Sequence, residues 1–136
     1  MRISLPLLVG TVLLATAPAS AAPRLAPEAK LARALEGREA GTPVDCLHLR
    51  DIRGSRIIDR TAIIYEGLGG TLYVNRPDSG ASSLDDNDIL VTKTSIGQLC
   101  SIDVVQLYDR SSQMPSGAVF LGEFVPYHRP GSRRAR

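Results

Sequence analysis

In "SRIIDRTAIIYEGLGGTLYVN", residues 55–75, β-branched and aromatic residues gather into short runs separated by polar or glycine-rich breaks. Runs of this length and composition form strands. Arg56 to Ile58 is the first and Ala62 to Glu66 the second. Asp59-Arg60-Thr61 between them is either a tight turn or a polar stretch of one bent strand. Gly67, Gly69 and Gly70 admit positive φ, so residues 62–75 read as a hairpin. The same glycines lack the GxGxxG spacing and the Gly-Lys ending of a phosphate loop. They also stand between strands, with no helix N-terminus to face a phosphate.

Downstream, "RPDSGASSLDDND" (76–88) is a loop by composition. Strands follow at Ile89 to Thr94, Asp103 to Asp109, and Ala118 to about Val125. Pro126 and Pro130 end regular structure there. The last strand is apolar on both parities, Val119, Leu121 and Val125 against Phe120 and Phe124, which predicts a well-paired position. Upstream, "PEAKLARALEGREAG" (27–41) predicts a short helix. Pro27 suits its first turn, Glu28 its positive end, and Gly37 or Gly41 its stop. Leu31 and Leu35 form only a thin stripe, which predicts a loosely docked lead-in outside the core. No intervening helix is long enough for a crossover, so the strands pair antiparallel. The expected fold is mainly β (α+β): a small antiparallel sheet or partly open barrel of five to six strands with a short N-terminal helix.

The chain opens MRISLPLLVGTVLLATAPASAA. Arg2, an apolar run from Leu5 to about Ala15, and Ala19-Ser20-Ala21 have the layout of a secretory signal peptide. Cleavage is expected after Ala21, with Ala22 the alternative. The run is short of the roughly 20 residues that a spanning helix needs. No Cys follows it to carry a lipid. The domain plan is therefore a signal peptide at 1–21, a helix and linker at 22–44, a β-rich domain at 45–127 and a basic, disordered tail at 128–136. The expected location is periplasmic or secreted, with no transmembrane segment after cleavage.

Charge is unevenly placed. Setting aside Arg2 and the tail residues Arg129, Arg133, Arg134 and Arg136 leaves 11 of the 16 basic residues against 14 acidic ones, a net of −3. A mildly acidic body with a basic tail is not the pattern of a nucleic-acid-binding face. The tail reads as a disordered, solvated end, with weak attachment to an anionic surface the alternative. The chain has two cysteines, Cys46 and Cys100. They are too few for a structural zinc site and too far apart for a CxxC motif. In an oxidising compartment they predict a disulfide.

Candidates for chemistry are few. His48, in "DCLHLRD", has no marked nucleophile and reads as a polar residue alternating with Leu47 and Leu49. Asp85, Asp86 and Asp88 with Asn87 offer oxygen ligands of the kind calcium takes, but outside the EF-hand spacing; a solvated turn fits better. Tyr65, Tyr73, Tyr108, Phe120 and Phe124 fall on strands, as core, cross-strand pairs or a stacking face. Without Trp or interleaved basic residues they do not make a nucleic-acid platform. No cofactor or metal is implied.

"CLHLRDIRGSRIIDRTAIIYEGLGGTLYVN", "LCSIDVVQLYD" and "FLGEFVPY" together resemble a family of small exported bacterial proteins of unknown function. The pattern is Cys46, Asp59, Tyr73 and Asn75, Leu99-Cys100 with Asp103, and Leu121-Gly122-x-Phe124. The resemblance implies a compact exported domain held by disulfides, and no activity. Members typically have four cysteines. Here Gly80, Ala81 and Ser82 stand in the region of one missing cysteine, and Ala118 and Val119 in that of the other. If those two are partners in the family, Cys46 and Cys100 are left intact as partners here. The functional expectation is a non-enzymatic structural or binding module serving an unknown envelope protein or ligand. Its rivals are a cell-envelope hydrolase using carboxylates such as Asp59 or Asp103, and a protein attached through its arginine tail.

Overall fold

The computed structural model describes residues 24–131. The signal-peptide residues, with Ala21 and Ala22, lie outside them, as do Arg133, Arg134 and Arg136. Helix α1 spans Pro27–Ala34, with Pro27 at its start, Glu28 in its first turn and Arg33 in its last. Gly37 takes a φ of 70° just beyond it, a left-handed conformation that favours glycine and turns the chain out of the helix. The thin stripe is enough to dock the helix. Leu31 is 3 % exposed and packs with Ile58, Ala62, Ile64, Leu72 and Val74. The helix is therefore part of the core and not a loose lead-in.

Ten strands follow among the described residues: β1 (Glu39–Ala40), β2 (Cys46–His48), β3 (Gly54–Ile58), β4 (Ala62–Glu66), β5 (Leu72–Asn75), β6 (Asp88–Thr92), β7 (Gln98–Cys100), β8 (Val104–Asp109), β9 (Pro115–Phe120) and β10 (Phe124–His128). They form three antiparallel sheets, ordered β1-β10-β5-β4-β3, β2-β7 and β6-β8-β9, none closed on itself. The mainly β antiparallel class with one short helix is thus observed. The strand count exceeds five or six because β1, β2 and β7 have only two or three residues each, too few for a periodicity to register.

The opening stretch folds as β3, β4 and β5. Asp59-Arg60-Thr61 is a turn, with Thr61 N–H donating to the Ile58 carbonyl at 3.0 Å and Arg60 at a φ of 51°. The run of β4 is apolar without alternation because both its faces are covered. Ile63 and Tyr65 point into a cluster with Leu47, Leu99, Leu107 and Phe124, while Ala62 and Ile64 point under α1. The molecule is layered accordingly: α1, the five-stranded sheet, then the two smaller sheets. Tyr65 and Phe124 meet edge to face with ring centroids 5.8 Å apart.

The C-terminal run departs from expectation. Ala118 to Val125 is not one strand but the end of β9, a corner, and the start of β10, in different sheets. Asn75, fully buried, donates from Nδ2 to the Gly122 carbonyl at 2.6 Å and accepts from Gly122 N–H at 3.2 Å. A Cβ on Gly122 would lie 2.6 Å from the Arg76 carbonyl, so the corner fits only glycine. The corner splits the two parities: Val119 and Leu121 reach the core from one side of it and Phe124 from the other. Pro126 does not stop the strand either. Its carbonyl accepts from Gly41 N–H at 2.7 Å. In an antiparallel ladder one residue's N–H and carbonyl point to the same side, so the missing N–H falls on the β1 side and the pairing with β5 is undisturbed.

Candidate interaction surface

The turn after β3 and the loop before β6 meet at a polar cleft of about 260 Å³ lined by Arg24, Lys30, Asp59, Arg60 and Leu84 to Asp86. Carboxylate oxygens of Asp59, Asp85 and Asp86 lie within 4.8 Å of one another. These are oxygen donors that a hard cation accepts. Lys30 already supplies positive charge there, its Nζ 3.3 Å from Asp59 Oδ2 and 3.9 Å from Asp86 Oδ2. Asp59 Oδ1 accepts from Asp86 N–H at 2.8 Å, and Arg60 N–H donates to the Leu84 carbonyl at 3.0 Å. The cluster thus pins a loop to a turn and a helix. Asp88 takes no part in it. Its side chain is buried on β6, and Oδ2 has no hydrogen-bond partner. Asn87 N–H donates to Asp85 Oδ1 at 2.9 Å, an Asx turn of the kind expected in front of a strand.

Cys46 and Cys100 form a disulfide. They are register partners on β2 and β7, with Cα atoms 4.0 Å apart. Asp103 caps the turn beside the bridge, Oδ2 accepting from Cys100 N–H at 2.7 Å. His48 is exposed on β2 and its Nδ1 lies 3.3 Å from Gln98 Nε2 across the ladder. Burial pushes the Tyr65 phenol well above its ordinary value, and its hydroxyl has no partner. The carboxylates Asp59 and Asp103 sit in separate hydrogen-bonded turns, each engaged with backbone N–H groups.

The remaining surface of note is the outer face of β6-β8-β9. Val105, Leu107 and Val119 point inward and are fully buried. By strand alternation Ile89 and Val91 of β6, Val104, Gln106 and Tyr108 of β8, and Ala118 and Phe120 of β9 share the other face. None carries a charge. Phe120 is 53 % exposed, Val104 beside it in register 41 % and Ile89 40 %; Ile102, in the turn before β8, is 89 % exposed. Phe120 and Phe124, though of one parity in sequence, thus separate: Phe124 is fully buried and Phe120 faces solvent. The alternation in "VVQLYD" was a visible signal for this face, because its outward set is itself largely apolar. What sequence reasoning missed was that nothing among the described residues covers it.

No helix among the described residues is long and apolar enough to cross a membrane. Comparison of the chain with protein-family models, with curated proteins and with solved structures found no match.

Proposed function

We propose that this protein is an exported, non-enzymatic module, periplasmic or secreted, that binds an envelope protein through the outer face of β6-β8-β9. The observation that carries the reading is the uncharged, half-exposed set Ile89, Val104 and Phe120 on one sheet face. Three strands at about 4.8 Å spacing and up to six residues long present roughly 300 Å². That is well below the ~800 Å² per partner of a standard interface, and it suits one apolar helix or strand of a partner. The signal-like N-terminus and the resemblance to small exported proteins support the compartment, and an intramolecular disulfide is compatible with it. The hydrolase reading has less support, because Asp59 and Asp103 are engaged by backbone N–H groups in different turns.

A photocrosslinking side chain at position 120, expressed in the native envelope, tests this. A discrete adduct is expected from that position and none from position 50, an exposed site away from the face. Phe120→Ser, introduced with the crosslinker at position 104, should remove the adduct while leaving thermal unfolding intact. Equal labelling from positions 120 and 50 would reject the surface as a binding face.

A further inference from the structure

Strand β6 borders the three-stranded sheet. Arg110 N–H donates to the Asn87 carbonyl at 3.2 Å, which fixes the phase of the ladder. Asn87, Ile89 and Val91 therefore turn their peptide groups toward β8, and Asp88, Leu90 and Thr92 turn theirs away. Of the outward groups Asp88 N–H is taken, donating to the Asp85 carbonyl at 3.0 Å. The opposite border is covered at Phe120, where Asp78 N–H donates to its carbonyl at 2.9 Å and its N–H donates to the Ser79 carbonyl at 3.1 Å. Among the described residues no strand lies outside β6. An open edge of this kind is a template for another strand.

We propose that β6 pairs antiparallel with β6 of a second copy of this chain, about a twofold axis through Leu90. In that register the two Leu90 residues exchange their N–H and carbonyl groups. Each Thr92 N–H donates to the Asp88 carbonyl of the other copy. The outward N–H groups of Leu90 and Thr92 are then satisfied, and Asp88 N–H, already bonded, is not needed. On the outer face Ile89 lies against Val91 of the second copy, a β-branched cross-strand pair. On the inner face Thr92 of the second copy comes opposite Asp88.

Charge selects this register. Asp85 and Asp86 precede β6 and Lys93 follows it, all exposed. Antiparallel pairing about Leu90 sets Lys93 of each copy beside Asn87 and the acidic pair of the other. An axis at Asp88 would bring the two acidic runs together, and an axis at Thr92 the two lysines, both unfavourable. Two short strands bury less than the ~1,600 Å² of a standard interface, so the dimer is weak, dissociating on the order of tens of micromolar. The pairing extends the apolar outer face across two molecules but does not rest on that face binding anything else.

Sedimentation velocity of the mature chain, from about 5 to about 500 µM, reads the association directly, since that span brackets weak interfaces. A concentration-dependent dimer is expected, weakened by salt. Thr92→Pro removes an outward N–H that β8 does not use, so it should leave a folded monomer, checked by circular dichroism. Lys93→Glu, on an exposed side chain, does not threaten the fold and should weaken association about fivefold to tenfold at low salt and less at high salt. A monomer at every concentration overturns the proposal. So does a dimer whose strength neither Lys93→Glu nor salt changes.

Discussion

Asn75 and Gly122 hold the corner between β9 and β10 through two buried hydrogen bonds. Asn75→Ala would leave the Gly122 N–H and carbonyl buried without these partners, at a cost of about 2–4 kcal/mol. Urea denaturation is expected to show that loss, and a change within about 0.5 kcal/mol would place the strength of the corner elsewhere. Two exposed carboxylates make the acid response legible at the same scale. Glu28 is held below its ordinary value of 4.5 by its hydrogen bonds from Arg76, at 2.8 and 2.9 Å. Asp109 is held below 3.8 by Ser112 first, with its N–H at 2.7 Å, and then by Ser111 and Asn87. In each case the folded value lies below the unfolded one. Their stabilisation is therefore present above the unfolded values and lost as pH falls through the folded ones. The thermal midpoint should hold steady above about pH 5.5 and decline below about pH 4.5. Arg76→Gln should remove the part due to Glu28; an unchanged slope in that variant would show the pair to be inert.

At the scale of elements, the β2-β7 ribbon depends on its bridge. Two three-residue strands do not hold together alone. The disulfide closes a sequence separation of 54 residues, which the chain-entropy model values at about 4 kcal/mol. Reduction should lower stability by up to that amount, seen as a shifted urea midpoint with a cooperative transition retained. No shift on complete reduction would mean that Leu47 and Leu99 hold the ribbon unaided. The loop at 80–82 lies against the strand at 118–119, since a Cβ on Gly80 would run into the Ala118 carbonyl and Ser79 bridges Phe120. Ala81 packs on the inner cluster and Ala118 turns to the outer face, so Ala81→Cys with Ala118→Cys should leave both thiols free on titration of the unfolded, unreduced protein; their absence would overturn the face assignment.

For the molecule as a whole, the exported reading rests on the N-terminal pattern. The mature N-terminus is expected at Ala22 or Pro23, read by N-terminal sequencing of the protein from the envelope fraction. Protein beginning at Met1 would withdraw the compartment argument. Cleavage there would leave α1 in place, which the five-stranded sheet needs as a cover for Ile58, Ile64, Leu72 and Val74. The fold thus has two hydrophobic layers on either side of one sheet, with the β6-β8-β9 sheet giving its inner face to the core and its outer face to solvent.

Local composition alone was sufficient for the antiparallel β class, the hairpin at 62–75, the helix start at Pro27 and the cysteine pairing. Each depends on neighbours in the chain or, for the cysteines, on count and compartment. Asp59 to Thr61 stayed open between a turn and a bent strand until the β3-β4 ladder decided it. Tertiary structure alone decided the rest. Phe120 and Phe124 share a parity, and only the Gly122 corner, held by a residue 47 positions away, sends one to solvent and the other to the core. Asp59 meets Asp85 and Asp86 because a loop folds back over a turn, a contact that no spacing encodes. The bare edge of β6 and the exposure of the apolar face beside it are likewise invisible in sequence, because what leaves a strand uncovered is the arrangement of all the others.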